Sequence, residues 1–169
     1  MNRFDCCSNV RFETEAQSER SLWNELLLST GCENMPSDIF SGVTVVLVDD
    51  HENLRELIRE FLIQKGAQVI TCSNATNALE IIKQNSPNVV LSKVGMKDAN
   101  GTPLLPAIRA LGAECGGNIP VIAICPPVST PLLERESMTG FNAYLRTPFT
   151  PAVLLEAIQS AVFQGGLPS

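Results

Sequence analysis

The sequence predicts an α/β fold, a parallel sheet covered by helices on both faces. Three observations predict it. From Val43 onward, short β-branched runs alternate five times with segments whose apolar residues recur at helical spacing. The strand candidates VTVVLV (43–48) and VVLS (89–92) are continuously apolar or nearly so, as strands buried on both faces should be. Turn-forming residues, among them Gly66, Ser86-Pro87 and Gly116-Gly117-Asn118, separate the segments. Such alternation specifies parallel strands joined by right-handed crossovers.

Along the chain, residues 1–12 show no periodicity and are expected to be disordered. Glu13 to Thr30 read as a helix with an apolar stripe of Leu22, Trp23, Leu26 and Leu27, capped at its end by Gly31. That stripe fits a helix docked on the domain and a partner-binding helix equally well. Residues 32–42, with Pro36, Ser37, Ser41 and Gly42, read as a linker. The expected division is a 1–40 extension, a 41–165 domain and a 166–169 tail.

Within the domain, Leu54, Leu57, Ile58, Phe61 and Leu62 mark a helix that Gly66 stops, and His51 should start it. QVITC (68–72) is the second strand. Ser73 or Asn74 caps a helix carrying Leu79 and Ile82. After the third strand, PLLPAIRAL (103–111) is a helix with Pro106 in its first turns, where a missing N–H costs least. PVIAI (120–124) is the fourth strand and AYL (143–145) the fifth, with a weak helix, PLLERESM (131–138), between them. Thr150 caps a last helix that begins with Pro151 and buries Leu154, Leu155 and Ile158.

Composition excludes several functions. Hydrophobic residues make up 44% of the 169, enough for a sizeable core. The net charge is −6 with no basic patch, so no nucleic-acid partner is expected. No run reaches the roughly 18 apolar residues of a membrane span, and the first residues lack a signal-peptide core. LLLSTGC resembles a lipoprotein cleavage site only faintly, because Ser29 stands where a large aliphatic residue belongs. A cytoplasmic protein with reduced thiols is the expectation: the cysteines, Cys6, Cys7, Cys32, Cys72, Cys115 and Cys125, form no C-x-x-C pair. His51 is the only histidine, so no histidine cluster for zinc exists.

Strand ends carry the functional signal, because ligands of open parallel sheets sit beyond the carboxyl ends of the strands. The first strand ends in Asp49-Asp50, the third in KVGMKDANG (93–101), and the fifth in YLRTPF (144–149). Together with PVIAIC these segments resemble the receiver domain of two-component response regulators over residues 43–163. The resemblance implies a flavodoxin-like (CheY-like) three-layer fold with strand order 2-1-3-4-5. It implies an acidic pair that helps hold Mg²⁺, here Asp49 and Asp50, and an aromatic switch position, here Tyr144. It also implies a phosphoryl-accepting aspartate three residues before Met96 and eight before Gly101, a hydroxyl after the fourth strand, and a lysine before a proline, usually joined by a cis bond. This sequence has Lys93, Cys125 and Thr147 at those positions. The resemblance therefore implies a degenerate receiver, a pseudo-receiver, without catalytic residues, cofactor or metal. Its partner would be a histidine kinase or another signalling protein, met on a face including Tyr144, Arg135 and the last helix, with room for a homodimer.

The substitutions have physical consequences. A lysine cannot form an acyl phosphate, which needs a carboxylate nucleophile. An ammonium between Asp49 and Asp50 would satisfy both without a metal. At ~4 Å and an effective dielectric of ~20, each contact is worth about 4 kcal/mol before desolvation. It should depress both carboxylate pKa values. If the acids are buried, removing that charge should cost roughly 2–4 kcal/mol. Two alternatives stand beside this reading. One is an unconventional receiver still phosphorylated on Asp49, Asp50 or Asp98, although Asp98 reads as a solvated loop acid. The other is a redox or ligand sensor using Cys125 near Lys93, although a small buried hydrophobe is the plainer role for that thiol. Ser92 should point away from Lys93 and serve packing, and Met96 should pack in its loop.

Overall fold

Five parallel strands form one sheet in the order β2-β1-β3-β4-β5, as the resemblance implied. The structure is a computed structural model that describes residues 15–29, 35–125 and 140–164, with only the backbone described at 15–19 and 164. The expectations for residues 1–12, for the 131–138 helix with Arg135, and for Cys6, Cys7 and Cys32 lie outside the described residues. The elements are α1 (Glu15–Ser29), β1 (Thr44–Val48), α2 (Glu52–Gln64), β2 (Gln68–Cys72), α3 (Ala75–Asn85) and β3 (Val89–Lys93). They continue with α4 (Leu104–Arg109), a short 3₁₀ turn at Ala113–Cys115, β4 (Val121–Cys125), β5 (Ala143–Arg146) and α5 (Pro151–Gln164).

Strand residues alternate between two buried faces. Val45, Leu47, Val89, Leu91, Ile122 and Ile124 meet α2 and α5 on one side. Val46, Val48, Val90 and Val121 meet α3 and α4 on the other. Both faces of the central strands are covered, which is why they read as unbroken apolar runs.

Local chemistry sets the element ends. His51 is the N-cap of α2, its Nδ1 accepting from Leu54 N–H at 3.3 Å. Asn74 does the same for α3, accepting from Asn77 N–H at 2.8 Å. Thr150 Oγ1 accepts from Val153 N–H at 3.3 Å at the start of α5. α4 is shorter than its periodicity predicted. Past Arg109 the chain folds back so closely that a Cβ at Gly117 would lie 2.0 Å from Leu111 O. Arg109 holds this return, donating to Gly117 O at 3.0 Å and Ile119 O at 2.7 Å.

The expectation of a linker at 32–42 is corrected for its described part. Phe40 is fully buried in the core beneath α2. Its N–H donates to Lys65 O at 2.9 Å. The chain lies directly on Gly66, at φ +90°, where a Cβ would come within 3.1 Å of Asp38 Cα. A glycine is needed there for its left-handed conformation and for that approach.

Of the two roles left open for α1, the structure shows docking. Trp23 is only 6% exposed. It meets Phe61 and Phe149 edge to face, with ring centroids at 5.7 and 5.6 Å. Arg20 reaches Glu60 of α2 at 3.1 Å, an exposed pair that adds little. The rest of the expected stripe is less committed: Leu26 and Leu27 are half-buried and Leu22 is exposed. The Trp23 indole Nε1–H is buried and meets no acceptor among the described residues.

Phe40→Ala should destabilise the protein by about 3–5 kcal/mol, the usual loss for a buried phenylalanine. Urea denaturation checks this. A loss under about 1 kcal/mol would return the segment to the status of a linker.

Candidate functional site

The register of the sheet brings the ends of β1, β3, β4 and β5 to one edge. Val48 pairs with Cys72 and Ser92, Lys93 with Ile124, and Cys125 with Arg146. Asp49, Asp50, Lys93, Cys125 and Thr147 therefore gather at the carboxyl edge.

Asp49 and Asp50 are adjacent in sequence but occupy different surroundings. Asp49 is 1% exposed. Its Oδ1 accepts from His51 N–H at 2.7 Å, and its carbonyl accepts from Arg55 at 2.7 Å. The Asp50 side chain is 58% exposed and pairs with Lys93 Nζ at 2.6 Å. Lys93 itself is 34% exposed. The ammonium thus does not sit between the two acids in contact with both. It joins the outer one, and a backbone N–H holds the inner one.

The two carboxyls therefore shift in opposite directions. Burial pushes Asp49 up, outweighing the His51 N–H bond and the charge of Lys93. The hydrogen bond from Lys93 pulls Asp50 down. The expectation that both would be depressed fails for Asp49, because desolvation dominates where no cation makes contact.

Cys125 is buried at the end of β4. Its carbonyl accepts from both Thr147 N–H, at 2.9 Å, and Thr147 Oγ1, at 3.0 Å. The threonine hydroxyl is thus turned to the backbone of the neighbouring strand. The Thr147-Pro148 bond is cis, as the resemblance implied. Tyr144 is exposed and packs edge to face on Phe141, with centroids 6.0 Å apart. Ser92 is buried, its hydroxyl donating to Lys93 O at 3.1 Å. Asp98 lies in its loop as expected, with a structural role besides. It is half-buried, and its Oδ1 accepts from Asn100 N–H and Thr102 N–H, both at 2.9 Å, shaping the β3–α4 loop. Met96 packs against the core as expected.

A cavity of about 400 Å³ opens beside this cluster. Leu22, Trp23 and Leu26 of α1, Leu54 and Leu57 of α2, and Phe149 supply much of its apolar wall. Asp49, His51, Lys93 and Thr147 supply its polar lining. The sequence reading missed the contribution of α1 to this site. The apolar stripe was the available signal, but nothing local says which surface it covers.

Mg²⁺ asks for several oxygen ligands in near-octahedral order. The donor set here does not fit it. Two carboxylates are present, one is engaged by an ammonium, and the third position is that ammonium. No group of three or more metal-ligating side chains occurs among the described residues.

The fold and the edge cluster define a receiver, and comparison with known proteins agrees. The family model described as the response regulator receiver domain matches residues 45–159. The chain belongs to that family, whose members act in two-component signalling. An uncharacterized 14.6 kDa protein of Leptolyngbya boryana is 30% identical over 115 residues, 68% of this chain and 86% of that protein. Sensor histidine kinase RcsC of Salmonella typhimurium is 28% identical over 122 residues, but the chain spans only 12% of its length. A response regulator from Desulfuromonas acetoxidans superposes with a TM-score of 0.61 at 24% identity, covering 72% of this chain and 97% of that one. The receiver domain of histidine kinase PA1611 from Pseudomonas aeruginosa, solved with magnesium in its active-site cleft, gives 0.60 at 24% identity, covering 72% and 98%.

Two predictions follow from the split between the acids. With Asp50 more than half exposed, Lys93→Met should cost no more than about 1 kcal/mol rather than the 2–4 expected of a buried triad. Thermal unfolding at neutral pH measures it, and a loss above about 2 kcal/mol would show that Lys93 also stabilises Asp49. Asp49→Asn keeps the acceptor for His51 N–H and removes a desolvated charge, so it should raise the Tm at neutral pH. The sign follows from linkage. Asp49 has a raised folded pKa, so its favourable protonated contribution is complete below the unfolded value and lost as pH rises through the folded one. The Tm gain should therefore shrink toward acid pH. Asp50 runs the other way, its contribution being lost as pH falls through its depressed value.

Proposed function

We propose that this protein is a pseudo-receiver, a receiver that works as a protein-interaction module without phosphorylation and without catalysis of its own. One observation carries the reading: at the position of the phosphoryl acceptor stands Lys93, its ammonium bonded to Asp50 at 2.6 Å. An ammonium is no nucleophile for acyl-phosphate formation, and it occupies the carboxylate that a metal would need. Thr147, at the position of the phosphate-binding lysine, is turned to Cys125 O. Asp49, Asp50, Lys93, Cys125 and Thr147 are on this reading a retired phosphorylation pocket, held in one state by internal bonds.

The signalling face is then the one bearing Tyr144 and α5, where Tyr144, Val153 and Phe163 are exposed. The partner class is a histidine kinase or another signalling protein. RcsC and PA1611 support this, since receivers similar to this chain occur in histidine kinases. The working unit is residues 41–165 together with an N-terminal extension that supplies Trp23, and its setting is the cytoplasm.

Incubation with acetyl phosphate and Mg²⁺, read by intact mass, should leave the protein unmodified. A gain of one phosphoryl group on any acidic residue would refute the reading. Lys93→Asp combined with Thr147→Lys should restore Mg²⁺ binding, read by calorimetry, because the scaffold around those positions is intact.

A further inference from the structure

The cavity beside the retired pocket is a property of this chain's extension as much as of its receiver fold. Its volume, about 400 Å³, lies within the roughly 300–1,000 Å³ of small-molecule sites. Such sites combine an apolar wall with a few polar groups at one place, and this one does the same. Leucines and aromatic rings from α1, α2 and the turn before α5 make the wall. The one polar side-chain atom in that wall is the Trp23 indole Nε1–H, buried without an acceptor among the described residues. The polar end holds Asp49, a residue 1% exposed whose carboxylate lies in no ion pair among the described residues.

Charge decides what the cavity prefers. Asp49, Asp50 and Lys93 sum to one negative charge, and the nearby Arg55 guanidinium is bonded to the Asp49 carbonyl. Lys93 is already bonded to Asp50. An anion entering here would meet a buried carboxylate held by one backbone N–H and in direct contact with no cation among the described residues, which is costly. A cation would supply the partner that Asp49 lacks. A bare divalent metal finds too few oxygens here and would gain nothing from the apolar wall.

We propose that this cavity binds an amphiphilic amine, a small organic cation whose ammonium bonds to Asp49 and whose apolar body lies against Trp23, Leu26 and Leu54. The proposal does not depend on the phosphorylation reading, because it rests on the burial of Asp49, the α1 wall and the Lys93–Asp50 pair, which hold whether or not the pocket takes phosphate. A ligand there would contact both α1 and the carboxyl edge of the sheet. Its binding would therefore favour the docked position of the extension.

Trp23 is the only tryptophan of the sequence, so its emission reports directly on the cavity. The full chain is titrated with phenylbutylamine, phenylbutanol, phenylbutanoate and Mg²⁺ alone, with calorimetry in parallel. The amine should bind about tenfold or more tighter than the alcohol, as one charge-assisted hydrogen bond allows. The acid and Mg²⁺ should leave the emission unchanged. Asp49→Asn should remove the amine's advantage and leave alcohol binding as it was. Leu54→Phe, which fills the wall at a half-buried position, should weaken amine and alcohol alike. Equal binding of acid and amine, an unchanged amine affinity in Asp49→Asn, a Mg²⁺ response matching the amine's, or no emission change and no heat with any probe would each overturn the proposal. Phosphorylation is read separately by mass, so failure here leaves that reading untouched and the reverse also holds.

Discussion

Two-sided burial of β1, β3 and β4 is the constraint on which the rest depends. Their side chains must be apolar on both faces, because helices cover each. Charged side chains therefore come only at the strand ends, and the one buried polar side chain within these strands, Ser92, bonds its hydroxyl to the backbone. Asp49 follows Val48, Lys93 ends β3, and Thr147 follows β5 with both its donors on the last carbonyl of β4. A parallel sheet aligns these ends on one edge, so residues far apart in sequence, such as Val48 and Ser92 or Cys125 and Arg146, become neighbours. The site results from core packing before it is a choice of functional residues.

At that edge a single ammonium faces two carboxylates, and depth decides which it serves. The outer acid can be reached by a lysine stem that keeps part of its charge in water. The inner acid cannot, and a backbone N–H at the start of α2 holds it instead. His51 thus serves twice: its N–H holds Asp49, and its ring caps α2. The Lys93–Asp50 pair is partly exposed, so water and salt screen it. What it fixes at this edge is position: it holds the ammonium on the outer carboxylate.

The segment ahead of the first strand belongs to the fold. Phe40 enters the core through a turn that lies on Gly66, and Trp23 wedges between Phe61 and Phe149. Wedging a large ring at this point leaves space beside it, because α1 meets α2 and the Phe149 turn at Trp23 while Leu22 stays exposed and Leu26 half-buried. The cavity follows from that geometry: one side is the receiver's own edge, and the other is an added helix.

The sequence by itself determined the order of the described elements, the strands to within about a residue at each end, the caps at His51 and Thr150, the choice of Ser73 or Asn74 for the next cap, and the identity of the residues at the strand ends. These are legible because periodicity, capping and turn chemistry act over a few residues. Strand order and the cis Thr147-Pro148 bond came through the resemblance, since nothing local specifies either. Only the tertiary structure decided that Asp49 is buried and Asp50 exposed, that Lys93 joins one and not both, that Asp98 shapes its loop, and that Phe40 and Trp23 are core. Each of these depends on how deep a side chain lies and what is packed over it. Depth is set by contacts between segments distant in sequence, and together with the direct Lys93 bond to Asp50 it sends the two carboxylates in opposite directions.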